Sequence, residues 1–486
     1  MNKPADVFNR DREWAALDGF VRSPRAGATL GLVYGRRRQG KTFLLEALAE
    51  AGAGFYCAAL QQSSAQNLAR FAVQYQAFTG IRVPVAFGTW EDAMRALLAL
   101  GEGRRTPVAV VIDEFPYLLD GNPELPSMLQ ALLSPRGAAA RGWPARLILC
   151  GSALSTMGEM LGGTAPLRGR AVLELMVHPF GYRDAAAFWG VGGAPEVAMR
   201  LHALVGGTPA YRDMCRGHAP GRDKEFDAWV VATLLDPASA MFREGSVLLA
   251  EEPDVRNASV YLAVLTAISS GHTRRSEIAA AVGKAEGALT HPLTVLTEAR
   301  LVSPLADALR QKRTTYHIAE PVLRLHQLVI APNEARLGRG QARAVWAELA
   351  DTVSSRIYGP HFETLARAWC AEHADPATLG GGASRVGATE VACREHGRTH
   401  ELDVVVLEVR ANRGSRISAI GEAKWRTEPV GAGQLARLEH LRNLLGAPDA
   451  KLLLFSRTGA SRQLVSLASA RDDVEIIDAD RLYTGT

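Results

Sequence analysis

Gly35-Arg36-Arg37-Arg38-Gln39-Gly40-Lys41-Thr42 fits the pattern G-x-x-x-x-G-K-[ST] at every fixed position. The segment before it, Thr29-Leu-Gly-Leu-Val-Tyr34, reads as a short buried strand, and Phe43-Leu-Leu-Glu-Ala-Leu48 after it as a helix with an apolar face. Strand, loop and helix in this order form a phosphate cradle. Glycines let successive backbone N–H groups turn inward around a polyphosphate, and the helix N-terminus adds the positive end of its dipole. Lys41 is then expected to reach the β- and γ-phosphates, with the Thr42 hydroxyl on Mg²⁺. A glycine turn without a ligand is the plain alternative, and the coincidence of all four features disfavours it.

Hydrolysis requires a buried strand ending in carboxylates. Pro107-Val-Ala-Val-Val-Ile-Asp113-Glu114 is a continuous apolar run closing on two acids, as a central parallel strand would be. Asp113 is expected to hold Mg²⁺ through water, and Glu114 to orient and polarise the attacking water. A further apolar run, Arg146-Leu-Ile-Leu-Cys150-Gly-Ser152, ends in a small polar residue. Ser152 is either a sensor of the γ-phosphate or a simple strand-to-turn junction.

Tyr34–Thr42, Ile112-Asp-Glu-Phe-Pro-Tyr-Leu118 and Cys150-Gly-Ser152 together resemble the archaeal-type ATPases of prokaryotes, near the STAND branch of the AAA+ superfamily. The resemblance continues through Pro166-Leu-Arg-Gly-Arg170, His178-Pro-Phe-Gly-Tyr-Arg-Asp-Ala185 and Gly206-Gly-Thr-Pro-Ala-Tyr211. It implies ATP as ligand and Mg²⁺ as its companion ion. It also implies that the segment Phe8-Asn-Arg10-Asp-Arg-Glu13 lies against the adenine base, bringing Arg10 to the nucleotide. Arg168 or Arg170 would supply positive charge to the γ-phosphate, and the Gly-Gly-Thr-Pro turn would close a helical lid.

The chain has 486 residues, 47% of them hydrophobic, enough for three or four domains. It contains no run of eighteen apolar residues, and Met-Asn-Lys-Pro-Ala-Asp at the start lacks a hydrophobic signal region, so a cytoplasmic protein without a membrane partner is expected. Five scattered cysteines, without a C-x-x-C pair, read as reduced structural thiols. Cys393, His396 and His400 have metal-ligating chemistry, but with no second cysteine nearby a zinc cage is the weaker reading.

The expected fold class is α/β, organised as a P-loop NTPase core over 1–178, a helical lid over 179–250, a winged helix-turn-helix over 251–335 and a terminal domain over 340–486. In the third segment, Ser259–Ile268, Arg275–Val282 and Ala285–Ala299 read as helices, the last with an internal Pro292. Leu301–Leu305 and Arg313–Ile318 read as the wing. Residues 255–330 carry nine Lys or Arg against five Asp or Glu, a net +4 that equals the charge of the whole chain. Arg274, Arg275, Lys284, Lys312 and Arg313 fall at a helix start, the turn and the wing tip, where phosphates would be met. A winged helix used only for intramolecular or protein contact is the even alternative.

Toward the C-terminus, Tyr358–Trp369 reads as a helix bearing Glu363. Glu401-Leu-Asp403-Val-Val-Val-Leu and Ser418-Ala-Ile-Gly-Glu422-Ala-Lys424 read as adjacent strands joined by an Asn412-Arg-Gly turn. Glu422 and Lys424, two apart, share one face. With Asp403 they place two carboxylates and an ammonium around one point, a donor set suited to Mg²⁺ and to phosphodiester hydrolysis. The pattern resembles the PD-(D/E)xK nuclease superfamily in its restriction-endonuclease-like α/β form. The resemblance makes Glu363 the helix acid and Gln434 the polar residue of the following helix. A cross-strand ion pair on a solvated sheet is the structural alternative.

The combined expectation is an ATP-binding and hydrolysing switch coupled to DNA binding and metal-dependent DNA cleavage, with nucleotide-dependent homo-oligomerisation as a further partner expectation. The alternative is a nucleotide-gated DNA- or protein-binding regulator whose nuclease fold is inactive.

Overall fold

The computed structural model describes residues 1–486 apart from 135, 137–141, 153, 161, 163, 164, 253, 254, 256, 257, 311 and 411–413. Asn412 and Arg413 of the expected Asn412-Arg-Gly turn thus lie outside the described residues. The chain divides into two compact units, Met1–Pro179 and Phe180–Thr486.

In the first unit, strands β1 (Thr29–Tyr34), β2 (Phe55–Ala58), β3 (Val108–Asp113), β4 (Ala145–Gly151) and β5 (Ala171–Met176) form one sheet in the order β2-β3-β4-β1-β5. Every pairing is parallel. Parallel sheets are covered on both faces, which is why β1, β3 and β4 read as near-continuous apolar runs. Val108, Val110 and Ile112 enter one core with Leu147 and Leu149. Ala109 and Val111 enter the opposite core with Ile148 and Cys150. Arg146 interrupts the apolar run of β4 for a structural reason: it is wholly buried and donates to the carbonyls of Ser23, Arg25 and Gly27, pinning the segment that leads into β1.

The second unit begins with helices Tyr182–Trp189, Pro195–Val205, Asp223–Thr233 and Ala240–Ala250. Trp189, Leu204 and Phe226 of these helices share one core with Trp369, Val404, Phe455 and Leu482. Helices expected as a lid of the nucleotide core are therefore built into the unit that holds the C-terminal sheet. Their large apolar faces find cover there.

Next come helices Ala258–Ser269, Arg275–Val282 and Thr290–Glu298, then an antiparallel pair, β6 (Val302–Ala306) and β7 (Thr314–Ile318), around a separate core. Pro292 sits in the first turn of its helix, where no intrahelical N–H is needed, and a 3₁₀ turn at Glu286–Leu289 precedes it. The C-terminal sheet comprises β8 (Arg385–Cys393), β9 (Arg398–Arg410), β10 (Gly414–Lys424), β11 (Lys451–Ser456) and β12 (Val474–Ile477), in the order β12-β11-β10-β9-β8. The β8–β9–β10 pairings are antiparallel and the β10–β11–β12 pairings parallel. Helix Gly359–Glu372 supplies Phe362, Leu365 and Trp369 to one face. Helix Ala432–Leu444 supplies Leu435, Leu438 and Leu441 to the other.

Within this unit His202 Nδ1 and His361 Nε2 lie 2.9 Å apart. Burial pushes His202 down to about 4, and burial together with His202 and Arg324 holds His361 well below the usual histidine range. Both rings therefore stay neutral in the folded chain while the unfolded chain takes up protons below about pH 6.5. Stability from this source is complete above that pH and is lost as pH falls toward 4, at no more than about 1.4 kcal/mol per pH unit for each ring. The melting temperature of the full chain is expected to fall between pH 7 and pH 5, and the fall should be shallower in His361→Gln. An equal slope in the two proteins, by calorimetry across buffers, would remove the pair as its cause.

Candidate functional site

Parallel pairing carries the C-terminal ends of β1, β3 and β4 to one edge of the first sheet, and the loop, the two acids and Ser152 meet there. Gly35 leaves β1 where an added Cβ would lie 2.4 Å from the carbonyl oxygen of Val177, so only glycine fits. Arg38 and Gly40 take left-handed conformations, at φ 67° and 83°, which turn the loop into helix Lys41–Ala51. Arg36, Gln39 and Lys41 are buried. Lys41 Nζ donates to the Arg36 carbonyl at 2.9 Å, so the ammonium points into the bowl of the loop. Burial lowers its pKa, opposed by Cys150, Glu114 and Asp113. A buried ammonium with so few oxygens is suited to an incoming phosphate.

Asp113, 1% exposed, receives the Thr42 hydroxyl at 2.7 Å and the Tyr56 hydroxyl at 2.9 Å, both on Oδ2. Its Oδ1 accepts the Glu114 N–H at 2.8 Å. Thr42 and Asp113 thus share the point where sequence reading places Mg²⁺. Oxygen-only donors at the mouth of a phosphate loop fit that ion. Glu114 has φ 50°, the left-handed region that non-glycine residues rarely occupy. The bend aims its carboxylate at Ser152, whose hydroxyl donates to Oε2 at 3.0 Å. Arg37 Nε lies 3.4 Å from Ser152 Oγ, and its Nη2 donates to the Tyr117 hydroxyl at 2.8 Å. Arg10 Nη2 donates to the Gln39 carbonyl at 3.0 Å while its Nη1 pairs with Glu13 at 2.9 Å, so this arginine braces the loop backbone.

Arg170 is a correction. Ala171 pairs with Leu30 and Met176 with Tyr34, so Arg170 precedes β5 at the opposite sheet edge from the loop. The strand rise puts it about 17 Å away, out of reach of a phosphate on its own chain's loop. Tyr56 carries no motif signature, and Tyr117 belongs to the Ile112–Leu118 motif without a role assigned to it there. Tyr56 lies on β2, beside β3, with Tyr56 opposite Val111 and Ala58 opposite Asp113. Only the strand order brings its hydroxyl to Asp113.

Residues 7–211 match the model of a family described as "ATPase domain predominantly from Archaea". These residues are similar to that ATPase domain. The match runs past Pro179 into the first helices of the second unit. A longer stretch of the chain matches a relative, the uncharacterized protein MJECL04 of Methanocaldococcus jannaschii. That protein is 24% identical over 316 residues, covering 64% of this chain and 66% of the relative, so this chain spans just under two thirds of the relative's length. Among solved structures, the Walker-type ATPase PABY2304 of Pyrococcus abyssi is similar at TM-score 0.48 and 21% identity, over 66% of this chain and 96% of that one. The ORC2 protein of Aeropyrum pernix, solved as ADPNP–ADP complexes, is similar at TM-score 0.45 and 15% identity, over 69% and 97%.

A second cluster lies in the second unit. Glu363 comes from helix Gly359–Glu372, Asp403 from β9, and Glu422 and Lys424 from β10. Lys424 Nζ is ion-paired with Glu422 and lies 3.8 Å from Asp403 Oδ2. Asp403 Oδ2 also accepts the Ala423 N–H at 2.8 Å. Burial, then the Asp403 charge, pushes Glu363 up to about 7 and raises Glu422 as well. Glu422 is 2% exposed, and its Oε2 has no hydrogen-bond partner among the described residues. Arg437, on the helix that carries Gln434, pairs with Glu422 Oε1 and donates to the Glu401 carbonyl at 2.9 Å. Its only trace in the sequence is the three-residue spacing from Gln434, one helical turn. Glu363 and Asp403 line a cavity of about 590 Å³ together with Lys312, Arg324, Arg356 and Arg367. Burial lowers the pKa of Arg324 to about 10.

The basic residues of the three-helix segment are arranged differently from the phosphate contacts expected of them. Arg274 and Arg313 both pair with Glu390 of β8, and Arg275 donates to Thr290 Oγ1 at 2.6 Å. Thr389 Oγ1 donates to Asp307 at 2.8 Å and Ala308 N–H to Ala388 O at 2.8 Å, so the turn between β6 and β7 docks on β8. Arg274 and Arg313 also line the cavity, together with Lys312.

Arg437→Ala leaves a buried carboxylate with a single cation. It is expected to destabilise the second unit by about 2 kcal/mol. Combining it with Glu422→Gln should cost less than the two single changes added together. Denaturant midpoints of the four proteins check both statements, and strict additivity would show that the pair is not coupled.

Proposed function

We propose that this chain is an ATP-hydrolysing switch whose second unit binds nucleic acid and cleaves phosphodiesters. The observation that carries the first half is the meeting of Lys41, Thr42, Asp113, Glu114 and Ser152 at one sheet edge. Lys41 exchanges its bond to the Arg36 carbonyl for phosphate oxygens. Thr42 and Asp113 would hold Mg²⁺, which would supply charge neutralisation at the phosphates. Glu114, released from the Ser152 hydroxyl, accepts a proton from the attacking water, while Ser152 Oγ becomes free to follow the γ-phosphate. Arg37, tied to Tyr117 and Ser152, registers the same change.

In the second unit we assign 251–335 as a winged helix and 340–486 as a nuclease-like domain, with 179–250 as helices that cover it. Support comes from the convergence of Glu363, Asp403, Glu422 and Lys424 beside a cavity rimmed by cationic side chains. Glu363 and Glu422, whose pKa values are raised by burial and then by the Asp403 charge, fit with Asp403 a divalent cation, which when bound would supply Lewis acidity beside a phosphodiester. Asp403 and Glu422 would be its ligands. Lys424 stabilises charge on the phosphate, and Glu363, its pKa raised by burial and then by the Asp403 charge, exchanges a proton at the cavity wall. The pairing of Arg437 with Glu422 favours a second reading, a nucleotide-gated regulator in which the cations hold the acids closed.

Lys41→Ala is expected to abolish ATP binding, whereas Glu114→Gln keeps binding and slows hydrolysis by about 10²–10⁴. Equilibrium nucleotide binding and single-turnover hydrolysis separate the two effects, and wild-type turnover in both variants would end the ATPase assignment of these residues.

For the second unit, Mg²⁺- or Mn²⁺-dependent cutting of DNA, assayed on single-stranded, duplex and branched forms with and without ATP, should vanish in Asp403→Ala together with metal binding. Lys424→Ala should keep metal binding and cut slowly. A wild-type chain that binds DNA, responds to ATP and cuts none of the forms supports the regulator instead.

A further inference from the structure

Cys393 closes β8, His396 lies in the turn, His400 stands on β9 and His440 on helix Ala432–Leu444. One donor atom from each lies within 4.8 Å of every other. His396 Nδ1 is 3.1 Å and His440 Nε2 is 3.3 Å from Cys393 Sγ. In a tetrahedron with Zn–N of about 2.0–2.1 Å and Zn–S of about 2.3 Å, donor atoms stand about 3.3–3.7 Å apart. The four groups reach that geometry with side-chain shifts of about 1 Å.

We propose that Cys393, His396, His400 and His440 bind one structural Zn²⁺. The ligand that sequence spacing lacks is not a second cysteine but His440, brought in by the packing of its helix against the sheet. A thiolate with three imidazoles selects zinc over the oxygen-seeking Mg²⁺, and four protein donors make a closed, structural site.

Three features of the surroundings fit. The His396 backbone N–H lies 3.4 Å from Cys393 Sγ, donating to the sulfur that must carry charge. Glu395 Oε2 is 3.8 Å from His440 Nδ1, so a carboxylate orients this imidazole from behind. His400 is 5% exposed, yet its Nε2 has no hydrogen-bond partner among the described residues. A thiol–imidazole hydrogen-bond network would leave that buried nitrogen unsatisfied, at a cost of about 1–3 kcal/mol. A metal ion accounts for it.

The consequence is mechanical. The ion would staple the β8–β9 hairpin to helix Ala432–Leu444. His440 lies one helical turn from Arg437, the residue on Glu422. The zinc site is independent of whether the acid cluster cuts nucleic acid, and it sets the position of the helix that faces those acids.

Full-length protein produced with added zinc and passed through gel filtration in metal-free buffer should hold about one Zn²⁺ per chain by mass spectrometry. Cys393→Ser and His440→Ala should each reduce this by about tenfold or more, while Cys370→Ser, whose thiol is outside the cluster, should not. X-ray absorption at the zinc edge of wild type, which needs no variant to fold, should give one sulfur at about 2.3 Å and three nitrogens at about 2.0 Å. Zinc-free wild type, zinc retained in both ligand variants, or a shell without sulfur would each overturn the proposal.

Discussion

The hydrogen bond from Thr42 to Asp113, 2.7 Å long, joins segments 71 residues apart, and the organisation of the first unit can be traced from it. It exists because β1 and β3 run in the same direction with β4 between them. Parallel strands deliver their C-terminal ends, with whatever chemistry follows, to a common edge. Burying charged groups there is costly unless each meets a counterpart. Lys41 is therefore bound to a loop carbonyl and Asp113 to two hydroxyls and a backbone N–H. These bonds hold the groups in place, and each can be exchanged for a phosphate oxygen or a metal ligand.

Charge confinement also organises the second unit, with a different outcome. Burial, then the Asp403 charge, disfavours ionisation of Glu363 and Glu422. Lys424 and Arg437 relieve this on one side, while Glu422 Oε2 stays unpaired. The same need for counter-charge explains the wing. Glu390, on β8, draws both Arg274 and Arg313. Guanidinium groups that a linear reading sends to a nucleic-acid backbone are spent on an intramolecular contact. The same two arginines, with Lys312, Arg324, Arg356 and Arg367, line the cavity.

Helix Ala432–Leu444 links the features of the terminal domain. Its apolar side, with Leu435, Leu438 and Leu441, packs on the sheet. Arg437 reaches the acids, and His440 reaches Cys393. A displacement of this helix by an ångström would disturb both clusters, because each depends on contacts whose strength falls steeply with distance.

The sequence by itself determined the phosphate loop, the acids ending β3, the apolar strands and the carboxylate–lysine spacing on β10. Each depends on local rules: glycine where φ is positive or a carbonyl approaches, continuous apolar runs for buried parallel strands, alternation for a strand face. Tertiary structure alone decided which distant groups meet. Tyr56 reaches Asp113 through strand order, and Arg170 is carried to the far edge by the direction of β5. The helices expected as a lid join the C-terminal core because large apolar faces pack where complementary surface is available. His440 stands beside Cys393, and Arg437 beside Glu422, because the helix Ala432–Leu444, which begins 22 residues after β9 ends at Arg410, folds back on its sheet. Spacing along a chain encodes neighbours within one element. Contacts between elements depend on how their faces pack, and no local pattern records that.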